Sequence, residues 1–341
     1  MTRSAPLPLR APLLALLLGL FLAGPGFAQQ QPPSKEEQYD QAFKIGLQLL
    51  TERKIDASIR AFVACVRLFP DRPVAYYNLA CAYSLKKDEQ KAVEFLRQSF
   101  EKGFQDLSHY QRDMDLDPVR RSPAFRKAFS EFEAKVLGGL EPALSHVPEG
   151  SKAPLLVYLH DMRDQPTKQL EDLRAAFPEW AILVPRGFKD PQRGVYYWDQ
   201  RGEFVVTQRL RSFLREHPQV DASQAVVVGE GIAGPLAVQV AVHNPDIVGG
   251  VLAAGAGLEG AVEGDLSDTR AYLVVHDKDP RQVAGGIMAR NAFAEAESSV
   301  VLERYMLDKP FSKDRALLLR GVGWLRGKRV TLPGAGEDHD L

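Results

Sequence analysis

The second half of the chain alternates apolar runs of strand length with amphipathic stretches of helix length, and this pattern restricts the possible folds more than any other feature. Unbroken apolar strands that alternate with helices indicate a mainly parallel sheet covered by helices on both faces. The predicted strands are Leu155–Leu159, Ala181–Val184, Ala225–Val228, Gly250–Ala254, Ala271–His276 and Val300–Met306. The predicted helices span residues 167–177, 203–216, 232–243, 280–297 and 312–326. We therefore expect one α/β domain over residues 150–327, followed by a polar tail at 328–341.

One predicted strand runs directly into the glycine-rich sequence Gly229-Glu230-Gly231-Ile232-Ala233-Gly234 and then into a helix. This sequence resembles the nucleophile elbow of α/β-hydrolases, where a strand, a sharp turn and a helix carry the pattern G-x-S-x-G. The strand before His160 resembles the one that leads into the oxyanion loop of that family. Residues Ala271–Pro280 resemble the strand and loop that deliver the acid of the catalytic triad, which would be Asp279. The resemblance implies an esterase-type α/β-hydrolase fold for this domain.

The side chains on which hydrolysis in that family depends are missing from this sequence. Gly231 stands at the nucleophile position, where covalent catalysis needs an attacking atom. The histidine is expected after the last strand, but the loop Leu307–Phe311 contains none. Asp161 replaces the glycine expected in the oxyanion loop, and its carboxylate would repel a developing oxyanion. Only Asp279 of the triad remains, so we expect a domain that does not hydrolyse esters.

Two other interpretations of the α/β domain stay open. Gly229, Gly231 and Gly234 also spell the dinucleotide-binding pattern G-x-G-x-x-G, although no acidic residue for a ribose ends the next predicted strand. Alternatively, an esterase could use a displaced nucleophile, since Ser223 and Ser312 lie near predicted strand ends and His160 borders the oxyanion loop.

The first half of the chain contains an internal repeat with a spacing of 34 residues. At this spacing Ile45 corresponds to Leu79, and small Gly46 corresponds to small Ala80. This period, with small residues where helices cross, indicates a helix–turn–helix repeat. The sequence Ala75–Tyr83 resembles the first helix of a tetratricopeptide repeat. We expect two such repeats and a capping helix at Pro123–Val136, together spanning residues 39–136.

The resemblance to tetratricopeptide repeats implies a groove for a peptide or protein along the first helices. By this resemblance the groove would be lined by Phe43, Leu47, Tyr77, Asn78, Cys81 and Ser84. The alternative is a structural spacer that packs on the following domain, because two repeats are fewer than the three that usually form a stable array.

The N-terminal residues have the pattern of a secretory signal peptide. Arg3 and Arg10 precede the apolar run Ala11–Ala23, and small residues stand before Gln29. This run is shorter than the ~20 residues that a membrane-spanning helix needs. We therefore expect a signal peptide at 1–28, a flexible lead-in at 29–38 and a periplasmic or secreted protein without a membrane span.

Composition excludes several classes of partner and cofactor. The net charge of −1 gives no electrostatic reason for binding to nucleic acid or an anionic membrane. No cysteine or histidine cluster has metal-ligand spacing, and we predict neither a metal nor another cofactor. The two cysteines, Cys65 and Cys81, are expected to be free and buried. Together these features predict an exported binding or scaffold protein in which a helical-repeat module precedes a non-catalytic α/β-hydrolase-like domain.

Overall fold

The structure is a computed structural model that describes residues 32–150, 152–162, 164–255, 257–261, 266–267, 269–305 and 314–328, with the side chains of 222–224, Glu259 and Ala261 left out. The predicted signal peptide, the tail from residue 329 onward, Ser312 and the loop 307–311 therefore lie outside the described residues.

The first module is helical, as the repeat predicts. Its helices are α1 (Lys35–Thr51), α2 (Ile55–Leu68), α3 (Pro73–Leu85), α4 (Glu89–Glu101), α5 (Leu107–Arg112), α6 (Asp117–Arg120) and α7 (Pro123–Leu137). Gly46 of α1 is where α2 approaches closely, because a Cβ there would lie 2.6 Å from the ring of Phe62. The expected lead-in is shorter than predicted, since Ser34 and Glu37 form a capping box that starts α1 at Lys35.

The second module contains a seven-stranded sheet in the order β1-β3-β2-β6-β7-β8-β9, and a separate pair, β4 and β5. The strands are β1 (Leu144–His146), β2 (Pro154–Leu159), β3 (Ala181–Val184), β4 (Phe188–Lys189), β5 (Tyr196–Tyr197), β6 (Asp221–Glu230), β7 (Val248–Ala254), β8 (Arg270–His276) and β9 (Val300–Tyr305). Among these described strands, only β1 runs antiparallel in the larger sheet. The strand order reverses at β2, which lies between β3 and β6, and ligands of open α/β sheets bind outside the carboxyl ends of strands at such a point.

Helices cover both faces of this sheet, in agreement with the predicted class. They are α8 (Pro166–Ala176), α9 (Gly202–Glu216), α10 (Ala233–Val242), α11 (Pro280–Glu295) and α12 (Arg315–Leu325). Side chains alternate across β2, as they do in any strand. Leu155 and Val157 pack with α9, α10 and α11, whereas Leu156 and Tyr158 pack with α8 and α12.

The two modules share one buried cluster. It joins Phe129, Phe132 and Val136 of α7 to Phe204 and Val205 of α9. The rings of Phe129 and Phe204 meet edge-on with their centroids 6.2 Å apart. None of the helices in the described part of the chain combines the length and apolar character of a membrane span.

Candidate functional site

The turn between β6 and α10 has the geometry expected of an elbow. Gly231 follows the last residue of β6 and has a φ of +61°, in the left-handed region that favours glycine. Its backbone N–H donates to the carbonyl of Ala254 at 2.9 Å, and its carbonyl accepts from Gly234 N–H at 3.2 Å. These two hydrogen bonds hold Gly231 at the apex of the turn, at the carboxyl edge of the sheet.

Asp161 occupies the space into which a nucleophile at position 231 would project. A Cβ added to Gly231 would lie 2.7 Å from Asp161 Oδ1 and 2.8 Å from Cγ, closer than real Cβ contacts, so the Asp161 side chain would have to shift. Strand register brings the two residues together, because Leu159 of β2 pairs with Gly229 of β6 and both chains continue two residues further. The apex therefore carries a carboxylate from the neighbouring strand and no nucleophile of its own.

His160 is a fully buried structural residue rather than a catalytic base. Its Nε2 accepts from the backbone N–H of Gly187 at 2.9 Å, and its Nδ1 donates to the carbonyl of Asp161 at 3.2 Å. The ring also stacks on Trp198 at 4.8 Å. Burial lowers the pKa of His160, which favours the neutral ring that these hydrogen bonds require. Both ring nitrogens are engaged, so this imidazole has no nitrogen left for proton transfer.

Asp279, the remaining acid of the triad by resemblance, caps a helix in the structure. Its Oδ1 accepts the backbone N–H groups of Arg281 at 3.0 Å and Gln282 at 3.2 Å, which starts α11. His276 is the nearby imidazole, and its Nδ1 accepts from Lys278 N–H at 3.3 Å. The carboxylate of Asp279 therefore caps the N-terminus of α11 and does not orient a histidine.

A cleft of about 200 Å³ opens beside the elbow. Its described lining consists of Asp161, Glu230, Gly231, Ala254, Gly255, Val274, Val275, His276, Gln282 and Tyr305. Among these residues there is no serine, threonine or cysteine, so a hydroxyl or thiol nucleophile of those types is missing from the described lining. Burial raises the pKa of Tyr305, and the nearby carboxylates of Asp314 and Glu230 raise it further.

Four polar residues of this cleft were not predicted from the sequence: Glu230, His276, Gln282 and Tyr305. Three of them end the strands β6, β8 and β9, whose carboxyl ends meet at one edge because the strands are parallel. Position at a strand end was therefore the signal that could have identified them.

The dinucleotide interpretation does not fit this geometry. A pyrophosphate needs free backbone N–H groups at the start of the helix, but Gly231 N–H is bonded to Ala254. The carboxylate of Asp161 also lies against Gly231, where it would repel a phosphate. Gly229 and Gly234 instead allow neighbouring backbone segments to pack closely. A Cβ on Gly229 would lie 2.1 Å from a backbone carbonyl oxygen, and a Cβ on Gly234 would lie 2.6 Å from one.

Of the two serines considered as displaced nucleophiles, Ser312 lies outside the described residues. The backbone of Ser223 lies near the opposite end of β6, eight residues before Gly231, which corresponds to about 25 Å of extended strand.

The expected peptide groove on the repeats is filled by the chain itself. Tyr77, Asn78, Cys81 and Ser84 of α3 are buried. The ring of Tyr77 stacks on Tyr110 of α5, and its hydroxyl and the Cys81 thiol both donate to the carboxylate of Asp113. Of the predicted lining, Leu47 is exposed and Phe43 packs with Phe62, while Asn78 donates to the carbonyl of Val74 in its own helix. Four of the six predicted lining residues are therefore buried, and Tyr77 and Cys81 are covered by α5 and the segment after it.

The free cysteines of the structure are Cys65 and Cys81, and both are buried. Burial raises the pKa of the Cys65 thiol to about 11. Within the described residues, no group of three or more histidine, cysteine, aspartate or glutamate side chains is arranged to hold a metal ion.

Comparison with known sequences gives a partial relative. The chain matches no known family profile. It is 26% identical over 102 residues to a chloroplastic protein of Arabidopsis thaliana, a match that covers 29% of this chain and 30% of that protein. The chain thus spans less than a third of that relative's length.

Solved structures with a similar fold include esterases. A carboxylesterase from Bacillus cereus is 14% identical, with a TM-score of 0.44, and the match covers 57% of this chain and 97% of that one. A phospholipase/carboxylesterase from Dyadobacter fermentans is 17% identical, with a TM-score of 0.38, and the match covers 52% of this chain and 94% of that one. These similarities concern the fold and carry no activity over to this chain.

Proposed function

We propose that this chain is an exported binding or scaffold protein whose α/β-hydrolase-like domain does not hydrolyse esters. The observation that carries the proposal is the carboxylate of Asp161 against the apex of the elbow, with the Cβ position of residue 231 only 2.7 Å from Oδ1. Catalysis by this fold needs a nucleophile at the apex and a base within hydrogen-bond reach. The described residues of the cleft offer neither a serine, threonine or cysteine nucleophile nor the partnered acid, and Asp279 is committed to a helix cap.

Binding would use surfaces other than the tetratricopeptide-like groove. Tyr77 of that groove is covered by α5, and the helical module shares a buried cluster with α9. The helical module therefore acts as a structural spacer fused to the α/β domain. The signal-peptide pattern supports a periplasmic or extracellular site of action.

A second candidate function is hydrolysis through a displaced nucleophile, and the position of Asp161 favours one specific form of it. A carboxylate can attack an acyl or alkyl carbon directly. Asp161 lies where the family's nucleophile would project and shares its cleft with His276.

Both candidates are tested by assaying the mature chain with p-nitrophenyl acetate and butyrate, and by labelling with a fluorophosphonate probe. The proposal predicts turnover equal to the buffer blank and no label, in the parent and in Asp161→Asn alike. Turnover that disappears in Asp161→Asn establishes the displaced carboxylate. Turnover that survives this substitution, together with probe labelling of a serine, overturns both interpretations in favour of another nucleophile.

A further inference from the structure

A groove runs between α8 and α12 on the face of the sheet that α9, α10 and α11 do not cover. It consists of two hollows of about 580 and 360 Å³, and Ala176 lines both. One wall of the groove is a single face of α12, because the α12 residues that line it are spaced three and four positions apart along the helix. These residues are Arg315, Leu318, Leu319, Val322, Gly323 and Arg326.

The two ends of the groove differ in chemistry. The smaller hollow has an apolar floor of Phe177, Trp180 and Leu319, and Leu319 is 40% exposed despite its size. The larger hollow carries the cations Lys168 and Arg315, and Arg315 donates to the carbonyl of Ala175 at 2.7 Å.

Carboxylates are also present in both hollows, and most already have partners. Asp172 lies 3.2 Å from Lys168 Nζ, and Asp164 accepts from the Tyr158 hydroxyl and from Asp161 N–H. Glu179 lines the apolar hollow together with Arg326 and Lys328.

The chain leaves the described structure at the apolar end of this groove. Lys328 lines the smaller hollow, and residues 329–341 follow it directly. The tail first presents Val330 and Leu332, then the glycine-rich Gly334-Ala335-Gly336, and then the acidic Glu337-Asp338-His339-Asp340. Apolar residues therefore come first, beside the apolar hollow, and acidic residues come later.

The lengths of tail and groove agree. Along α12, Arg326 and Arg315 are eleven residues apart, which is about 17 Å of helix. From Leu332 to Asp338 is six residues, or about 20 Å when extended. With Leu332 in the apolar hollow, the acidic residues reach the level of Arg315 and Lys168.

We propose that residues 329–341 bind along the α8–α12 groove of their own chain, with Leu332 against Trp180 and Leu319. The acidic end of the tail then lies beside Lys168 and Arg315. This intramolecular contact covers the exposed Leu319 and is independent of whether the elbow hydrolyses anything.

The test is a disulfide between Leu319→Cys and Leu332→Cys in the full chain. The native cysteines are buried and do not compete. Mild oxidation should give a monomeric cross-linked species whose yield does not change on tenfold dilution. The matched control pairs Leu332→Cys with Met288→Cys, because Met288 is 60% exposed on α11, across the sheet, and should cross-link about tenfold less. Equal yields in the two pairs, or cross-linked dimers alone, overturn the proposal, and dimers point to a second copy as the occupant.

Hydrogen exchange provides a second readout that needs no cysteine. Removing residues 329–341 should speed amide exchange about tenfold near Trp180 and along α12, with α11 unchanged. A synthetic peptide of residues 329–341 should restore protection, and a scrambled peptide should not. Identical exchange in the full and shortened chains contradicts the proposal.

Discussion

Gly231 and Asp161 lie against one another at the carboxyl edge of the sheet. A residue with a Cβ at the φ of Gly231 costs about 1–2 kcal/mol. The same Cβ would lie 2.7 Å from Oδ1 of the Asp161 carboxylate, while the backbone carbonyl of Asp161 accepts a hydrogen bond from His160 Nδ1. A side chain at position 231 therefore requires the carboxylate of Asp161 to shift.

Restoring a serine at the elbow should destabilise the protein without creating an esterase. We expect Gly231→Ser to lower the free energy of unfolding by about 2–4 kcal/mol, as the sum of backbone strain and overpacking. In an Asp161→Gly background the same substitution should cost about 1–2 kcal/mol less, because the contact is gone. Urea denaturation of the four variants measures the coupling. Additive effects would show that Asp161 does not fill the space above Gly231.

His160 should make stability depend on pH in a defined direction. Its pKa is lower in the folded chain than in the unfolded chain, because burial disfavours the charged ring. The unfolded state therefore binds more protons below about pH 6.5, and the contribution of His160 is present above that pH and lost as the pH falls toward the folded pKa. Protonation would also remove the acceptor for Gly187 N–H. In His160→Gln this part of the pH dependence of the free energy of unfolding should disappear. If the slope of that free energy against pH between pH 7 and 5 is the same in both chains, His160 is not its source.

The regular elements follow from local sequence patterns, and those patterns predicted them closely. The strands β2, β3 and β6 to β9 all contain or nearly coincide with the predicted apolar runs, because buried parallel strands are apolar throughout. Several short elements were not predicted, including β1, β4, β5, α5 and α6. Strand β1 is only Leu144–His146, too short for a visible period, and the six residues of α5 have the same limitation. Elements of this length form because neighbouring elements supply their partners.

Only the part of the site that one continuous stretch of sequence forms could be predicted. The turn at Gly231 was visible as a strand, a glycine pattern and a helix. That Asp161 lies against it depends on the register of β2 on β6, which pairs Leu159 with Gly229 and which no local pattern encodes. The burial of Tyr77 and Cys81 was not predictable for the same reason, since Asp113 and Tyr110 come from a segment that folds back over α3.

A buried ion cluster links α5, α9 and the end of α10 across the boundary between the modules. Glu203 of α9 accepts from Arg112 of α5 and from His243 Nδ1 at 3.1 Å. Although burial would raise the pKa of Glu203, hydrogen bonds from His243 and Arg112 outweigh it and lower the pKa. The cluster therefore stabilises the fold above about pH 4.5 and is lost as the pH falls through the folded pKa.

Substituting Arg112 and substituting Glu203 should lower the free energy of unfolding by different amounts. The side chain of Glu203 is 8% exposed, whereas that of Arg112 is 39% exposed. Arg112→Leu leaves a buried carboxylate with only His243, and we expect a loss of about 3 kcal/mol. Glu203→Gln leaves a guanidinium that can turn to solvent, with an expected loss of about 1–2 kcal/mol. Denaturant titrations measure both values, and a larger loss for Glu203→Gln would show that the burial of the carboxylate is not what matters.

The molecule as a whole consists of two differently built halves that share one buried cluster. The helical module contains two repeats, which is too few for an independent array. It closes one end with α5 and α7 and buries the outer face of α7 against α9. The α/β domain is therefore a part of the module's hydrophobic core, and a hinge between them is not expected.

Separating the halves should destabilise the first one. A fragment of residues 32–140 would lose the contact of Phe129 with Phe204 of α9, whereas Phe132 keeps its contacts with Phe100 and Tyr110 inside the fragment. Phe129 is 9% exposed in the full chain, and exposing a side chain of this kind costs about 1.5–3 kcal/mol from a total that is typically about 5–15 kcal/mol. Circular dichroism should show a lower and broader thermal transition for the fragment than for the full chain. The matched probe is Phe204→Ala in the full chain, which removes the ring facing Phe129 and should speed amide exchange in α7 and α9 together. A fragment that unfolds as sharply as the full chain would instead make the repeats an autonomous domain, and the contact with α9 would then be a docking surface rather than shared core.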